Sequence, residues 1–128
     1  MRTGFGIVGV LLALAGVGPA AAHHSFATQY DADQPVTLTG VVTKVEWMNP
    51  HARFYVDVKD ENGNVINWNL ELASPNVLTR NGWSRTSLKE GDEVTVEGSR
   101  ARSGANMANA RTVKLADGRQ VFAREPAQ

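Results

Sequence analysis

The chain has three histidines, His23, His24 and His51, and they are its best candidates for chemistry. His23 and His24 follow directly on Ala20-Ala21-Ala22, where an apolar N-terminus gives way to mixed, polar sequence. If the chain is cut after Ala22, His23 becomes residue one. A free α-amine titrates near about pH 8, so a bound cation displaces its proton at small cost. The amine and imidazole of His23 then chelate one ion, and His24 or His51 completes a nitrogen-rich set. Such donors take Cu(II) first, with Zn and Ni next. A cut one residue earlier gives Ala22-His23-His24, with a histidine third from the amine, which is also a square-planar copper arrangement. Met48, just ahead of His51, adds a soft ligand for reduced copper. His23, His24 and His51 are therefore the candidate metal ligands, and Cu(II) or another divalent metal is the candidate cofactor. The ordinary alternative is a chance pair at a processed terminus and a His51 that completes a turn through its ring hydrogen bonds.

A second set lies on alternating positions. Arg53, Tyr55, Asp57 and Lys59 alternate with apolar residues, as do Asn67, Asn69 and Glu71. Alternation puts each group on the outward face of a half-buried strand. The polar run SRARSGANMANAR adds Arg100, Arg102, Asn106 and Arg111. Arginines beside aromatic and amide groups hold an anionic ligand or a protein surface. The candidate ligand or partner face is Arg53, Tyr55, Lys59, Asn67, Asn69, Arg100 and Arg102. A solvated sheet face with ordinary charges is the plain alternative.

These residues need a scaffold to position them. Met1-Arg2, the uncharged run GFGIVGVLLALAGV, the breaker Gly18-Pro19 and the small residues Ala20-Ala21-Ala22 form the three parts of a secretory signal peptide. The run is shorter than the roughly 20 apolar residues of a membrane span, although a retained anchor is the alternative. Residues 1–22 are thus an expected leader, the location is periplasmic or secreted, and no span remains after cleavage. The absence of cysteine excludes a lipid-anchored lipoprotein and any disulfide. Residues 23–35 predict an extended arm, stuck to the domain by Phe26 and Tyr30 and turned at Asp31-Ala32-Asp33. Residues 124–128 predict a frayed tail.

Residues 36–123 predict the barrel. A bent first strand starts at Val36, bulges at Gly40-Val41 and ends at Asn49-Pro50. A second strand buries Ala52, Phe54, Val56 and Val58. Asp60-Glu61-Asn62-Gly63 turns the chain, and a third strand buries Ile66, Trp68, Leu70 and Leu72. Ser74-Pro75 starts a short helix that stops near Asn81-Gly82. Trp83 and Leu88 plug the core. A fourth strand carries Val94 and Val96, a fifth spans Asn109 to Leu115, and Gln120 to Phe122 forms a short last segment. This β–β–β–α–β–β order predicts an all-β fold with one short helix, a five-stranded Greek-key OB-fold barrel. A β-sandwich is the alternative, but it does not call for a helix there.

The leader carries Arg2 and no acid, so a mature chain would be one charge negative, from 13 basic and 13 acidic residues overall. That balance lacks a basic footprint, and nucleic acid is not expected as a partner. No cysteine nucleophile, Gly-x-Ser-x-Gly elbow or phosphate-cradling glycine motif is present. The acid pairs Asp31/Asp33, Asp60/Glu61 and Asp92/Glu93 all fall in expected turns. The expected function is a non-enzymatic binding module whose partner is a metal ion, a small anionic ligand or an envelope protein.

Several segments resemble one family along the whole mature chain: HHSF, VTLTGVVTKVEWMNPHARFYVDVKD, WNLELASPNVLTRNGW, LKEGDEVTVEG and ANARTVKLADGR. The family consists of small exported bacterial proteins known only as a domain of unknown function. Its most specific pieces here are His23-His24-Ser25-Phe26, Asn49-Pro50-His51 and Ser74-Pro75-Asn76. The resemblance implies a periplasmic OB-like domain and implies no activity. The layout is also similar to that of other periplasmic bacterial OB-fold proteins, which are taken to bind small ligands or partners.

Overall fold

A computed structural model describes residues 26–123. The expected leader, His23, His24, the proposed cut and the tail 124–128 lie outside the described residues. The elements are β1 (Tyr30–Glu46), β2 (Arg53–Lys59), β3 (Val65–Glu71), α1 (Pro75–Arg80), β4 (Glu93–Ala101), β5 (Met107–Leu115) and β6 (Gln120–Ala123). Residues 26–29 form a helical turn ahead of β1.

The strands lie in the order β3-β2-β1-β4-β5-β6, with a further β3–β5 pairing that closes the first five into a barrel. That closing pair is parallel, and all other pairs are antiparallel. This is the OB-type barrel expected from the sequence, with the helix between β3 and β4 and a short sixth strand added to β5.

β1 serves two neighbours. Its first part pairs with β4 as far as Val41↔Glu93, and its second part pairs with β2 from Gly40↔Val58 to Glu46↔Arg53. Gly40 sits where both flank it, and a Cβ there would lie 2.1 Å from the Asp57 carbonyl oxygen. The bulge expected at Gly40-Val41 falls instead between Val42 and Lys44. Gly40 relieves crowding at the crossing, and the register slips at Thr43. The strand expected from Val36 begins at Tyr30, because Tyr30 and Asp31 pair with Ala101 and Arg100 before the chain loops out and resumes at Pro35↔Ser99. Asp31 supports that excursion by accepting from the Asp33 amide at 3.0 Å.

The alternating apolar residues meet inside the barrel. Phe54, Val56, Leu70, Leu78, Val96 and Val113 are all buried in one cluster. The Ser74 side chain caps α1 by accepting from the Val77 amide, and Pro75 opens the helix. This drives Leu78 into the core. Trp83 closes the same end, stacked on Trp47 and edge-on to Phe122 at 5.9 Å. No helix among the described residues is long and apolar enough to cross a membrane.

Gly98 is packed as closely as Gly40: a Cβ would lie 2.1 Å from the Asn109 carbonyl oxygen across the β4–β5 ladder. Gly98→Ala is expected to cost about 3 kcal/mol, the upper end for overpacking. Thermal unfolding should show a melting temperature lowered by more than about 10 °C, and an unchanged value would contradict this packing.

Candidate functional site

The β2–β3 register sets Arg53 opposite Glu71, Tyr55 opposite Asn69 and Asp57 opposite Asn67. These six residues share the outward face, as alternation predicts. Glu71 is nevertheless buried, at 5% exposure. Two elements distant in sequence cover it: β5 runs parallel beside the end of β3, with Glu71↔Asn109, and Tyr30 comes across from the start of β1.

A carboxylate removed from water needs donors, and Glu71 has them. Its Oε2 accepts from the Tyr30 hydroxyl at 2.9 Å and from an Nη of Arg53. The other Arg53 Nη donates to Asn69 Oδ1 at 3.2 Å and lies 3.9 Å from Met107 Sδ. The remaining oxygen, Oε1, faces His51 Nδ1 at 3.5 Å. The His51 side chain is 45% exposed while that of Glu71 is 7% exposed. The imidazole is thus the solvent-reaching part of a largely enclosed cluster. Burial, reinforced by the Glu71 charge, pushes the Tyr30 phenol up from 10.0, its ordinary value, to about 12.

The other expected face residues divide. Tyr55 donates to Glu46 at 3.4 Å and lies 5.5 Å below Lys44, while Lys44 pairs with Glu46 at 2.6 Å. Asn67 donates to Asp57 at 2.8 Å and to Thr43 at 3.1 Å. Lys59 is exposed at the far end of β2. Arg100 leaves this group: its guanidinium lies 5.2 Å over the ring of the core residue Trp68 and donates to the Gly104 carbonyl. Arg102 fastens the N-terminal turn, donating through Nε to the Ala27 carbonyl at 2.6 Å and pairing with Asp31 at 3.4 Å. The Arg102 amide donates to the Gln29 carbonyl. Arg53, Arg100 and Arg102 thus each have partners within the domain.

The metal candidates divide as well. His51 stands beside Glu71, and His23 and His24 precede the described residues. Phe26, the first of those, has its ring 5.7 Å from that of Tyr30. Among the described residues no group of three or more His, Cys, Asp or Glu side chains forms a metal cluster. Sequence reasoning missed Glu71 as the hub and Tyr30 as its partner. The available signal was an acid in phase with Asn67 and Asn69 at the end of a strand.

The N-terminal turn, the barrel and the NPH loop are thereby joined in one fold. The chain belongs to the family of unknown function DUF6152. The family's sequence model matches residues 11–110, as the resemblance of the quoted segments implies. No curated protein matches the chain. Among solved structures, the DUF6152 chain is similar to the mitochondrial single-stranded DNA binding protein Rim1 of S. cerevisiae. One crystal form shares 10% identity over 65% of this chain and 93% of that one, with a TM-score of 0.51. A second form gives 12% identity over 65% and 92%, with a TM-score of 0.49. At such identities the likeness is one of fold.

That likeness corrects one expectation. The near-neutral charge balance excluded nucleic acid as a partner, and the exclusion does not stand, because the DUF6152 barrel has the fold of a single-stranded DNA binding protein. Single strands are held by local charge and by aromatic faces on which bases stack, and net charge reports on neither.

Tyr30 makes the cluster sensitive to alkali. Its protonated form contributes stability that is fully present below pH 10.0 and is lost as pH rises through about 12. In Tyr55→Phe protein, where Tyr30 is the remaining tyrosine of two, absorbance titration should show no phenolate below about pH 11 while circular dichroism stays native. Ionisation near pH 10 in folded protein would contradict the burial of Tyr30 against Glu71.

Proposed function

We propose that this chain is an exported, non-enzymatic OB-fold binding module whose ligand is Cu(II) or another divalent metal. The ligands are the amine and imidazole of His23 with His24 and His51, after removal of residues 1–22. The supporting observation is where the chain enters the fold. Arg102 fastens residues 27–31, and Phe26 lies against Tyr30, whose hydroxyl shares the Glu71 carboxylate with His51. His24 and His23 stand two and three residues ahead of Phe26 in the sequence, and chain reach is about 3.3–3.6 Å per residue. An amine and imidazoles favour Cu(II).

The test is a Cu(II) titration of exported protein whose intact mass shows His23 first, read by EPR and d–d absorption. Binding should be tighter than to a free peptide of residues 23–28. It should change in spectrum when one glycine precedes His23, and weaken in His51→Ala. Peptide-like affinity, or indifference to the added glycine, rejects the metal reading.

The fold likeness favours a second ligand class, single-stranded nucleic acid on the outer face of β1, β2 and β3. There Tyr55 offers an aromatic ring with Lys44 beside it. Anisotropy of a labelled single-stranded oligonucleotide should then rise with added protein and fall with salt, and Tyr55→Ala should weaken the complex. No change in anisotropy at low salt rejects this reading.

A further inference from the structure

We propose that the cleft between the end of α1 and β6 is a docking site for a short, extended, acidic peptide segment of a partner protein. The cleft shares no residue with the metal candidates or with the β2–β3 face, so it stands independently of both ligand readings above.

An unanswered donor lies at this place. Trp83 is 5% exposed, and its Nε1–H is the one buried side-chain polar group among the described residues without a hydrogen-bond partner. Buried polar groups are normally paired, because an unpaired one forfeits its hydration. The ring is well held, stacked on Trp47 with centroids 6.5 Å apart and edge-on to Phe122. Packing fixes the indole and leaves its N–H open.

The same residue lines a cleft. The cleft has a volume of about 240 Å³ and is walled by Asn81, Trp83, Gln120, Val121 and Phe122. A water occupies about 30 Å³, so the space takes more than a single solvent molecule. Its walls carry two carboxamides and no charged side chain. The Gln120 amide has no partner among the described residues. Asn81 donates from its side-chain nitrogen to the Val77 carbonyl at 2.9 Å, which leaves Oδ1 open.

Three wall residues are successive in β6, which pairs with β5 on one side and is the last strand of the sheet on the other. Such an edge presents unpaired backbone N–H and C=O groups. Donors and acceptors along a strand edge match the backbone of an extended peptide. Val121 has no opposite number between Gln120↔Lys114 and Phe122↔Val113. The strand bulges there, so the regular edge is short and the docked segment is short as well.

Charge sets the character of the partner. From Leu72 to Lys89 the chain carries Arg80, Arg85 and Lys89 and no acid. All three are exposed, and none forms an ion pair among the described residues. Arg80 directly precedes Asn81, and Arg85 follows two residues after Trp83. An acidic segment complements these rim charges, which steer association and choose between partners. Nucleic acid fits less well, because its bases stack on open aromatic faces and Trp83 and Phe122 are each only 5% exposed.

The test selects a displayed library of random short linear peptides on the mature protein. Enriched peptides should be rich in Asp and Glu. Synthesised and titrated, they should shift the Trp83 indole N–H in ¹H–¹⁵N correlation spectra, where Trp83→Phe assigns that signal among the three tryptophans. Arg80→Glu combined with Arg85→Glu should weaken binding about tenfold with native circular dichroism. Trp83→Phe keeps an aromatic ring and removes the N–H, and should weaken binding about 3- to 10-fold. Where Trp83→Phe does not fold, the charge-reversed pair at exposed positions decides. An absence of enriched peptides, enrichment without acidic bias, or acidic peptides that leave the indole signal unmoved or ignore the charge reversal would each overturn the proposal. A single-stranded oligonucleotide that shifts the indole signal where acidic peptides do not would overturn it in favour of nucleic acid.

Discussion

A carboxylate taken out of water has to be met by donors, and much of the barrel's geometry at one end follows from that constraint. Glu71 is nearly enclosed, yet every group that satisfies it comes from elsewhere in the chain: Arg53 from β2, Tyr30 from the start of β1 and His51 from the loop between those strands. Isolated buried ion pairs add little net stability, but removing one partner costs about 3–5 kcal/mol because a bare charge remains. The cluster therefore acts chiefly by specifying arrangement. It ties Arg53 of β2 and Tyr30 of β1 to the end of β3, with His51 of the NPH loop beside them.

The same constraint ties the start of β1 to the end of β4. Tyr30 can reach Glu71 only if β1 starts six residues before the regular alternation does, paired to the end of β4. Arg102, just past β4, then has the chain ahead of Tyr30 within reach and binds the Ala27 carbonyl. Arg102, expected on the ligand face, also holds the N-terminal turn. The result holds residues 27–31 beside the end of β4.

Local pattern made much of this legible. The alternation in RFYVDVK and VINWNLE gave the faces of β2 and β3, and Asn62-Gly63 gave the turn between them, where Gly63 has φ of 81°. Ser74-Pro75 marked the helix start. What stayed hidden was non-local. Alternation sorts inside from outside but does not say what will lie over an outward residue, so Glu71 read as solvated. The parallel β3–β5 closure leaves no local signature, and neither does the pairing of Tyr30 with Ala101. The bulge was misplaced because a glycine marks close approach as readily as a slip in register. Net charge could not exclude nucleic acid, because it averages over a surface of which one face would suffice.

The central claim is that the Glu71 cluster unites the N-terminus and the NPH loop into one site. Paramagnetic broadening by a single equivalent of Cu(II) in ¹⁵N-labelled mature protein tests it most directly. The account predicts selective loss of amide signals at the N-terminus together with Phe26, His51, Ala52 and Glu71, and intact signals at the turn between Lys59 and Val65, the far end of β2 and β3 from the Arg53↔Glu71 pair. Broadening confined to the first residues, with His51 and Glu71 untouched, would contradict it.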